Sequence, residues 1–174
     1  MPSLAEQLRG GEPLTEAGLA LGSNVGDKPA NIRRALALLE ERGILRLTAV
    51  SSIYRTPPWG YEEQEFFANA CALGETRLPP LELLAAVNTI EKDMGRRPSV
   101  RWGPRLIDID ILFYGTGYFE DTKLSLPHKS MFDRAFVLVP LAEIAPSLEI
   151  SGHSVAKAAE NFAAEQIEKW EADA

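Results

Sequence analysis

The chain's 174 residues, 45% of them hydrophobic, can bury one sizeable core and are too few to argue for two independent domains. A formal charge of -7, from 25 acidic against 18 basic residues, argues against general affinity for nucleic acid or for an anionic membrane. No apolar run of about 18 residues could span a bilayer, and Glu6, Arg9 and Glu12 interrupt the stretch where a secretory signal would lie, so the expected location is cytoplasmic.

Residues 1–14 read as an N-terminal extension broken by Gly10-Gly11-Glu12-Pro13, and residues 15–174 as a single domain. A strand is expected from about Ala17 to Leu21, after which the turn Gly22-Ser23-Asn24-Val25-Gly26-Asp27 delivers the chain into a helix. Ile32, Ala35, Leu36 and Leu39 recur there at helical spacing, and Gly43 is a stop signal. Residues 44–55 and 65–76 are rich in β-branched or alternating types and predict two strands, joined through the stiff loop Thr56-Pro57-Pro58-Trp59-Gly60. Cys71 lies in the second of them; as the only cysteine it excludes an intrachain disulfide and a cysteine-cluster metal site, and its apolar neighbours predict a buried thiol.

From Pro79 the spacing of Leu81, Leu84, Val87, Asn88 and Glu91 predicts a second helix ending near Gly95, and Leu106 to Phe113 predicts a strand. The order βαββαβ predicts an α+β, ferredoxin-like antiparallel sheet with helices packed on it. Pro127 to Ala145 adds a loop and a third helix, and the tail from Val155 to Trp170 reads as further C-terminal helix.

Chemistry concentrates in the last strand and in the loop before it. Period-two alternation puts Ile107, Ile109, Ile111 and Phe113 on one face and Asp108 and Asp110 on the other. At about 6–7 Å, two carboxylates repel by roughly 2–3 kcal/mol at an effective dielectric near 20. A divalent cation would turn that repulsion into attraction, and two carboxylates plus substrate phosphates are a usual way to hold magnesium. Between Gly95 and Arg105 stand Arg96, Arg97, Arg101 and Arg105 with no acid. Pro98, Gly103 and Pro104 make this run a loop, whose guanidinium forks suit phosphate oxygens. A solvated strand face and a solvated turn explain each feature alone, but not their adjacency. No Walker loop or dinucleotide fingerprint is present, so side chains and magnesium must hold any phosphate.

The apolar loop at Thr56-Pro57-Pro58-Trp59, with Phe67 and Asn69 on one face of the next strand, suits a flat heterocycle stacked on rings and read at its edge by an amide. Taken alone, Phe67 reads as core and Asn69 as a turn-capping residue. Lys123, Ser125, His128, Lys129 and Arg134 form a last polar group suited to a polyphosphate.

Leu21-Gly22-Ser23-Asn24, Tyr54-Arg55-Thr56-Pro57-Pro58, Arg101-Trp102-Gly103-Pro104-Arg105-Leu106-Ile107-Asp108-Ile109-Asp110, Leu126-Pro127-His128 and Arg134-Ala135-Phe136 together resemble the 6-hydroxymethyl-7,8-dihydropterin pyrophosphokinase family, over nearly everything from Leu19 to Pro146. The resemblance implies an ATP- and magnesium-dependent diphosphotransferase of folate biosynthesis that transfers pyrophosphate to the pterin hydroxymethyl group and releases AMP. It implies that Asp108 and Asp110 ligate two Mg2+ ions, that Arg96 and Arg105 neutralise developing charge, and that Trp102 closes over the site. Leu84, Glu91, Arg97, Ile111, Lys123, Ser125, His128, Lys129 and Arg134 would then serve the nucleotide. Thr56, Pro58, Trp59, Phe67, Asn69 and Phe136 would form the pterin slot. Two departures concern loops: Pro98 stands where the family commonly has a second arginine, with Arg97 beside it, and Trp59 is bulkier than the common leucine. A monomer is the simplest expected state. The competing classes are a non-catalytic ferredoxin-like small-molecule sensor, which needs neither the arginine loop nor paired aspartates, and an RNA-binding sheet, which the acidic balance disfavours.

Overall fold

The computed structural model describes residues 13–57, 66–95, 106–162, 165 and 167–170. Strand β1 (Thr15–Ser23) leads into helix α1 (Lys28–Glu41). The Asp27 side chain caps that helix by accepting from the Ala30 amide at 3.2 Å, and Pro29 sits in the first turn, where its missing N–H costs nothing. Gly43, at φ 66°, supplies the left-handed residue that stops it.

The strand expected over 44–55 is two strands, β2 (Arg46–Val50) and β3 (Tyr54–Thr56), both paired with β4 (Phe67–Thr76). The break falls at Ser51 and Ser52. Ser51 Oγ accepts from the Cys71 amide at 2.9 Å and donates to the Ser52 carbonyl at 2.7 Å. Side-chain bonding to nearby backbone competes in this way with a continuous ladder. Helix α2 (Pro80–Asp93) and edge strand β5 (Asp108–Tyr114) complete the expected βαββαβ order. With a tail strand, β10 (Glu168–Lys169), at one edge, the sheet runs β10-β3-β4-β1-β5, with β2 also on β4, and all its pairs are antiparallel, the ferredoxin-like arrangement.

One face of the sheet is packed by α1 and α2. Ala17, Leu19, Leu21, Ala68, Ala70, Ala72, Ile107, Ile109 and Ile111 meet Ile32, Leu39, Leu83 and Ile90 there. Each large side chain so buried contributes about 1.5–3 kcal/mol of transfer free energy. On the opposite face Cys71, Leu73, Leu112 and Phe113 pack against α3 (Ala135–Ile144) and helix α4 (Val155–Glu160).

Phe113 therefore lies on the face opposite to the one that simple alternation predicts. Gly18 pairs with Phe113 and Leu19 with Ile111, so Leu112 is an extra residue on β5 and the side-chain alternation slips by one. The Phe113 ring lies over Gly18, where an added Cβ would fall 2.3 Å from Cε1.

Short hairpins follow β5: β6 (Phe119–Glu120) with β7 (Ser125–Leu126), and, after α3, β8 (Glu149–Ile150) with β9 (His153–Ser154). The tail departs from the helical expectation. Beyond α4 it forms β10 (Glu168–Lys169), pairing with β3, and the Trp170 amide donates to the Ile53 carbonyl at 2.7 Å. The free edge of β3 offers unpaired backbone groups that an extended segment satisfies. Trp170 also receives the Arg55 guanidinium at 5.8 Å and the Lys28 ammonium at 5.9 Å. Among the described residues no helix is long and apolar enough to cross a membrane.

Candidate active site

Strand register assembles the floor of the site. Gly22 on β1 lies between Asn69 on β4 and Asp108 on β5; one row along, Ala20 lies between Cys71 and Asp110. With strands about 4.8 Å apart, Asn69 and Asp108 are separated by roughly 10 Å across a strip of glycine and alanine. The strip must stay low. A Cβ at Gly22 would come 2.8 Å from Asn69 Oδ1.

Asn69 is fixed from one side. Its Nδ2 donates to Thr56 Oγ1 at 2.6 Å, and both residues are buried. Phe67 begins β4 beside them, half-buried, and pairs with Thr56. Phe136 is half-buried in the first turn of α3, next to Arg134, whose guanidinium carbon lies 5.6 Å from the Phe136 ring centroid. Arg134 reaches the other way as well, with Nη1 3.7 Å from Asp110 Oδ2. Its Nε is buried without a hydrogen-bond acceptor among the described residues. A buried, half-satisfied cation beside a carboxylate pair is an arrangement suited to an anionic ligand.

His128 follows the cis Leu126–Pro127 peptide, and its backbone amide donates to the carbonyl of Leu112, the bulge residue, at 2.8 Å. The bulge thus both turns Phe113 over and anchors the loop that carries the histidine. Nδ1 of His128 accepts from the Ser130 amide at 3.1 Å, which leaves the ring proton of the neutral imidazole on Nε2. Burial lowers its pKa, the nearby Arg134 charge lowers it further, and Asp108 acts in the opposite sense.

Ser125 and Lys129 gather around Glu120: Ser125 Oγ donates to Oε2 at 2.8 Å and Lys129 Nζ lies 3.9 Å from the same oxygen. Lys123 is exposed in the turn of that hairpin, its backbone amide held by Asp121 at 3.0 Å. Three of the expected nucleotide residues are not brought to this face. Ile111 is buried in the core beneath α1 and α2, and Leu84, half-buried on α2, packs against that core. Glu91, buried on α2, accepts from the Ile109 amide at 2.9 Å and so braces β5 between the two aspartates. Pro58, Trp59, Arg96, Arg97, Trp102 and Arg105 lie outside the described residues.

Two polar features went unread in the sequence. Asn31 Nδ2 donates to Ser23 Oγ at 3.1 Å and to the Val25 carbonyl at 2.8 Å, tying down the turn that leaves β1. Glu143, the one charged residue of α3, accepts from Ser52 and Tyr54. A lone acid in an otherwise apolar helix was the available signal.

Two carboxylates on one face of an edge strand, a buried arginine beside them and an amide with two aromatic rings nearby can hold a metal–phosphate group and a flat heterocycle side by side. Residues 18–146 match the family model of 7,8-dihydro-6-hydroxymethylpterin-pyrophosphokinase. The chain is 46% identical over 158 residues to a 2-amino-4-hydroxy-6-hydroxymethyldihydropteridine pyrophosphokinase of Methylorubrum extorquens, covering 91% of this chain and 100% of that one. It is 47% identical over 133 residues to the protein of that name from Bacillus subtilis, with 76% and 80% covered. Among solved structures, the Plasmodium falciparum HPPK-DHPS wild type with pteroate superposes with a TM-score of 0.69 at 16% identity. That match covers 87% of this chain and 43% of the solved one, so this chain spans less than half the length of that protein, and the likeness shows the fold alone. The chain belongs to the 7,8-dihydro-6-hydroxymethylpterin-pyrophosphokinase family.

Proposed function

We infer that this chain is a pyrophosphokinase of folate synthesis, transferring pyrophosphate from ATP to 6-hydroxymethyl-7,8-dihydropterin. The observation that carries the site is the row Asn69–Gly22–Asp108, which sets a heterocycle-reading amide and a metal-type carboxylate about 10 Å apart on one sheet face.

Asp108 and Asp110 fit magnesium, because this ion takes one or two carboxylates and completes its shell with water and substrate phosphates. We assign two Mg2+ ions to these residues; when bound, they would neutralise the phosphate chain and polarise its bridging oxygens. Arg134 lies against Asp110 and would pair with a phosphate oxygen through its buried Nε. His128 would donate from Nε2 as a neutral ring. Ser125, Lys129 and Lys123 would take the outer phosphates, with Ser125 and Lys129 exchanging Glu120 for phosphate oxygens. We also assign Leu84, Glu91 and Ile111 to the nucleotide, which would reach them around the edge of β5; Glu91 in addition braces that strand through the Ile109 amide.

On the pterin side, Asn69 would read the ring edge, with Thr56 holding its orientation, while Phe67 and Phe136 supply apolar walls. We assign charge neutralisation to Arg96 and Arg105 and closure over the site to Trp102. Pro58 and Trp59 would complete the slot. Phosphoryl-type transfer is mainly positioning and charge neutralisation, so such a set suffices without a dedicated base. A residue before proline favours an extended backbone, on which neighbouring side chains point opposite ways, so Arg97 would initially face away from Arg96. We propose that it engages only in the closed complex.

The test is to incubate the protein with the dihydropterin, ATP and magnesium and to identify the products. AMP and the pterin diphosphate are expected, with no turnover when magnesium is chelated. ADP with a pterin monophosphate would overturn the assignment.

A further inference from the structure

Glu143 lies near the C-terminal end of α3, and its carboxylate reaches the strand that carries Thr56. It accepts from the Ser52 amide at 3.0 and 3.2 Å, from Ser52 Oγ at 3.1 Å and from the Tyr54 hydroxyl at 2.5 Å. Every one of these partners donates, and only an acceptor-only group can satisfy them together. Burial alone would push the Glu143 carboxyl up, but the hydrogen bonds from Tyr54 and Ser52 and the charge of Lys169 outweigh it and hold it below the ordinary carboxylate value.

The partners on the sheet side belong to the pterin wall. Tyr54 is the register partner of Asn69, and Thr56, two residues further along β3, holds the Asn69 amide. β3 is only three residues long. At the other end of the helix stands Phe136, seven residues before Glu143. Seven residues are about two turns, so the two side chains leave the same helix face. Arg134 immediately precedes the helix and lies 3.7 Å from Asp110. One carboxylate thus ties the helix bearing Phe136 to the strand bearing Thr56, across the slot between them.

We propose that Glu143 is a positioning residue for the pterin: it sets the spacing between the Phe136 wall and the Thr56–Asn69 pair. The inference rests on the pterin assignment made above. The Glu143 carboxylate is engaged by Ser52 and Tyr54, and a clamp that served stability alone would leave both affinities equal to wild type in the folded fraction. A clamp that sets the slot must weaken the pterin more than the nucleotide, because β5, the β6–β7 hairpin and the His128 loop are not held by Glu143, and Arg134, which adjoins α3, is also held at Asp110.

Glu143→Gln is the sharp variant, since it keeps shape while placing an NH2 donor among donors. Tyr54→Phe removes one bond and keeps the ring. Calorimetry on the full chain would titrate 6-hydroxymethylpterin into protein saturated with magnesium and a non-hydrolysable ATP analogue, and the analogue by itself. For Glu143→Gln the pterin affinity should fall about fivefold to tenfold while nucleotide affinity stays within about twofold, as suits a charge-assisted contact that keeps one side toward solvent. Tyr54→Phe should shift the same ratio in the same direction by less, and in steady state the KM for the pterin should rise more than kcat falls. Unchanged pterin affinity in both folded variants, or equal losses for the two ligands, would overturn the proposal while wild-type binding leaves the functional reading standing. A wild-type protein that binds no pterin would overturn that reading and this inference with it.

Discussion

The two faces of the sheet use the same three strands, β4, β1 and β5, and do different work. On the helix-covered face, Ala17, Leu19 and Leu21, Ala68, Ala70 and Ala72, and Ile107, Ile109 and Ile111 are buried without a polar atom in their side chains. On the other face Cys71, Leu73 and Leu112 pack against α3 and α4, but at the site end the intervening positions are Ala20, Gly22, Asn69, Asp108 and Asp110, small or polar and held in rows by register. One residue's step along a strand separates stability from chemistry. Glu91 shows how the first face serves the second, since its carboxylate holds the backbone between the two aspartates without reaching their side.

Substitutions on either side should separate cleanly if that division is right. Asp110→Ala should lower turnover by more than about a thousandfold, as expected for loss of a metal-holding carboxylate, while leaving thermal stability at or above wild type once like-charge repulsion is relieved. Near-normal magnesium-dependent turnover would remove Asp110 from the site, and activity loss that merely tracked unfolding would erase the distinction between the faces.

Next in size, Ile109→Ala, one residue away and 4% exposed, should cost about 2–5 kcal/mol of unfolding free energy in denaturant titrations. Its folded fraction should keep the ATP affinity of the parent. Phe136→Ala sharpens the contrast within the site itself. It should weaken the pterin about tenfold, as expected when an aromatic wall is truncated, with a much smaller change for ATP, and equal losses in calorimetry would place Phe136 in the general core. A subtler outcome concerns Arg97→Ala, which should slow catalysis while barely changing ATP affinity, whereas Arg96→Ala impairs catalysis more. A wild-type rate for Arg97→Ala would make that arginine a solvated bystander.

The smallest expected effect is a pH dependence. Because Glu143 is held below the ordinary carboxylate value of 4.5, its contribution to stability is fully present above that pH and is lost as pH falls through its folded value. The stability gap between wild type and Glu143→Gln should therefore close on acidification. A gap constant from neutral pH to pH 3 would show that the Ser52 and Tyr54 bonds do not depend on the charge, contrary to their assignment here.

Most of this architecture follows from local pattern. Helical spacing in α1 and α2, capping at Asp27, the stop at Gly43 and alternation through Asp108 and Asp110 are short-range properties, and they suffice for the βαββαβ order and for the face the aspartates occupy. Asn69 is legible as an edge-reading amide beside the apolar loop that begins at Thr56, though not that Thr56 holds it. Three features required the tertiary structure. The bulge at Leu112, which turns Phe113 over, arises from pairing β5 against β1, where the slip lets the ring cover Gly18. The tail becomes a strand because β3 leaves an edge open and Arg55 and Lys28 stand ready for Trp170. Arg134 meets Asp110 and Glu143 meets Ser52 and Tyr54 only after α3 has docked on the sheet. Periodicity and capping are written within a few residues of chain, so the sequence by itself determined the helices and strands of the βαββαβ core, their order and the carboxylate face. Contacts between groups up to 142 residues apart, as Lys28 and Trp170 are, depend on how the layers pack, and only the fold decided them.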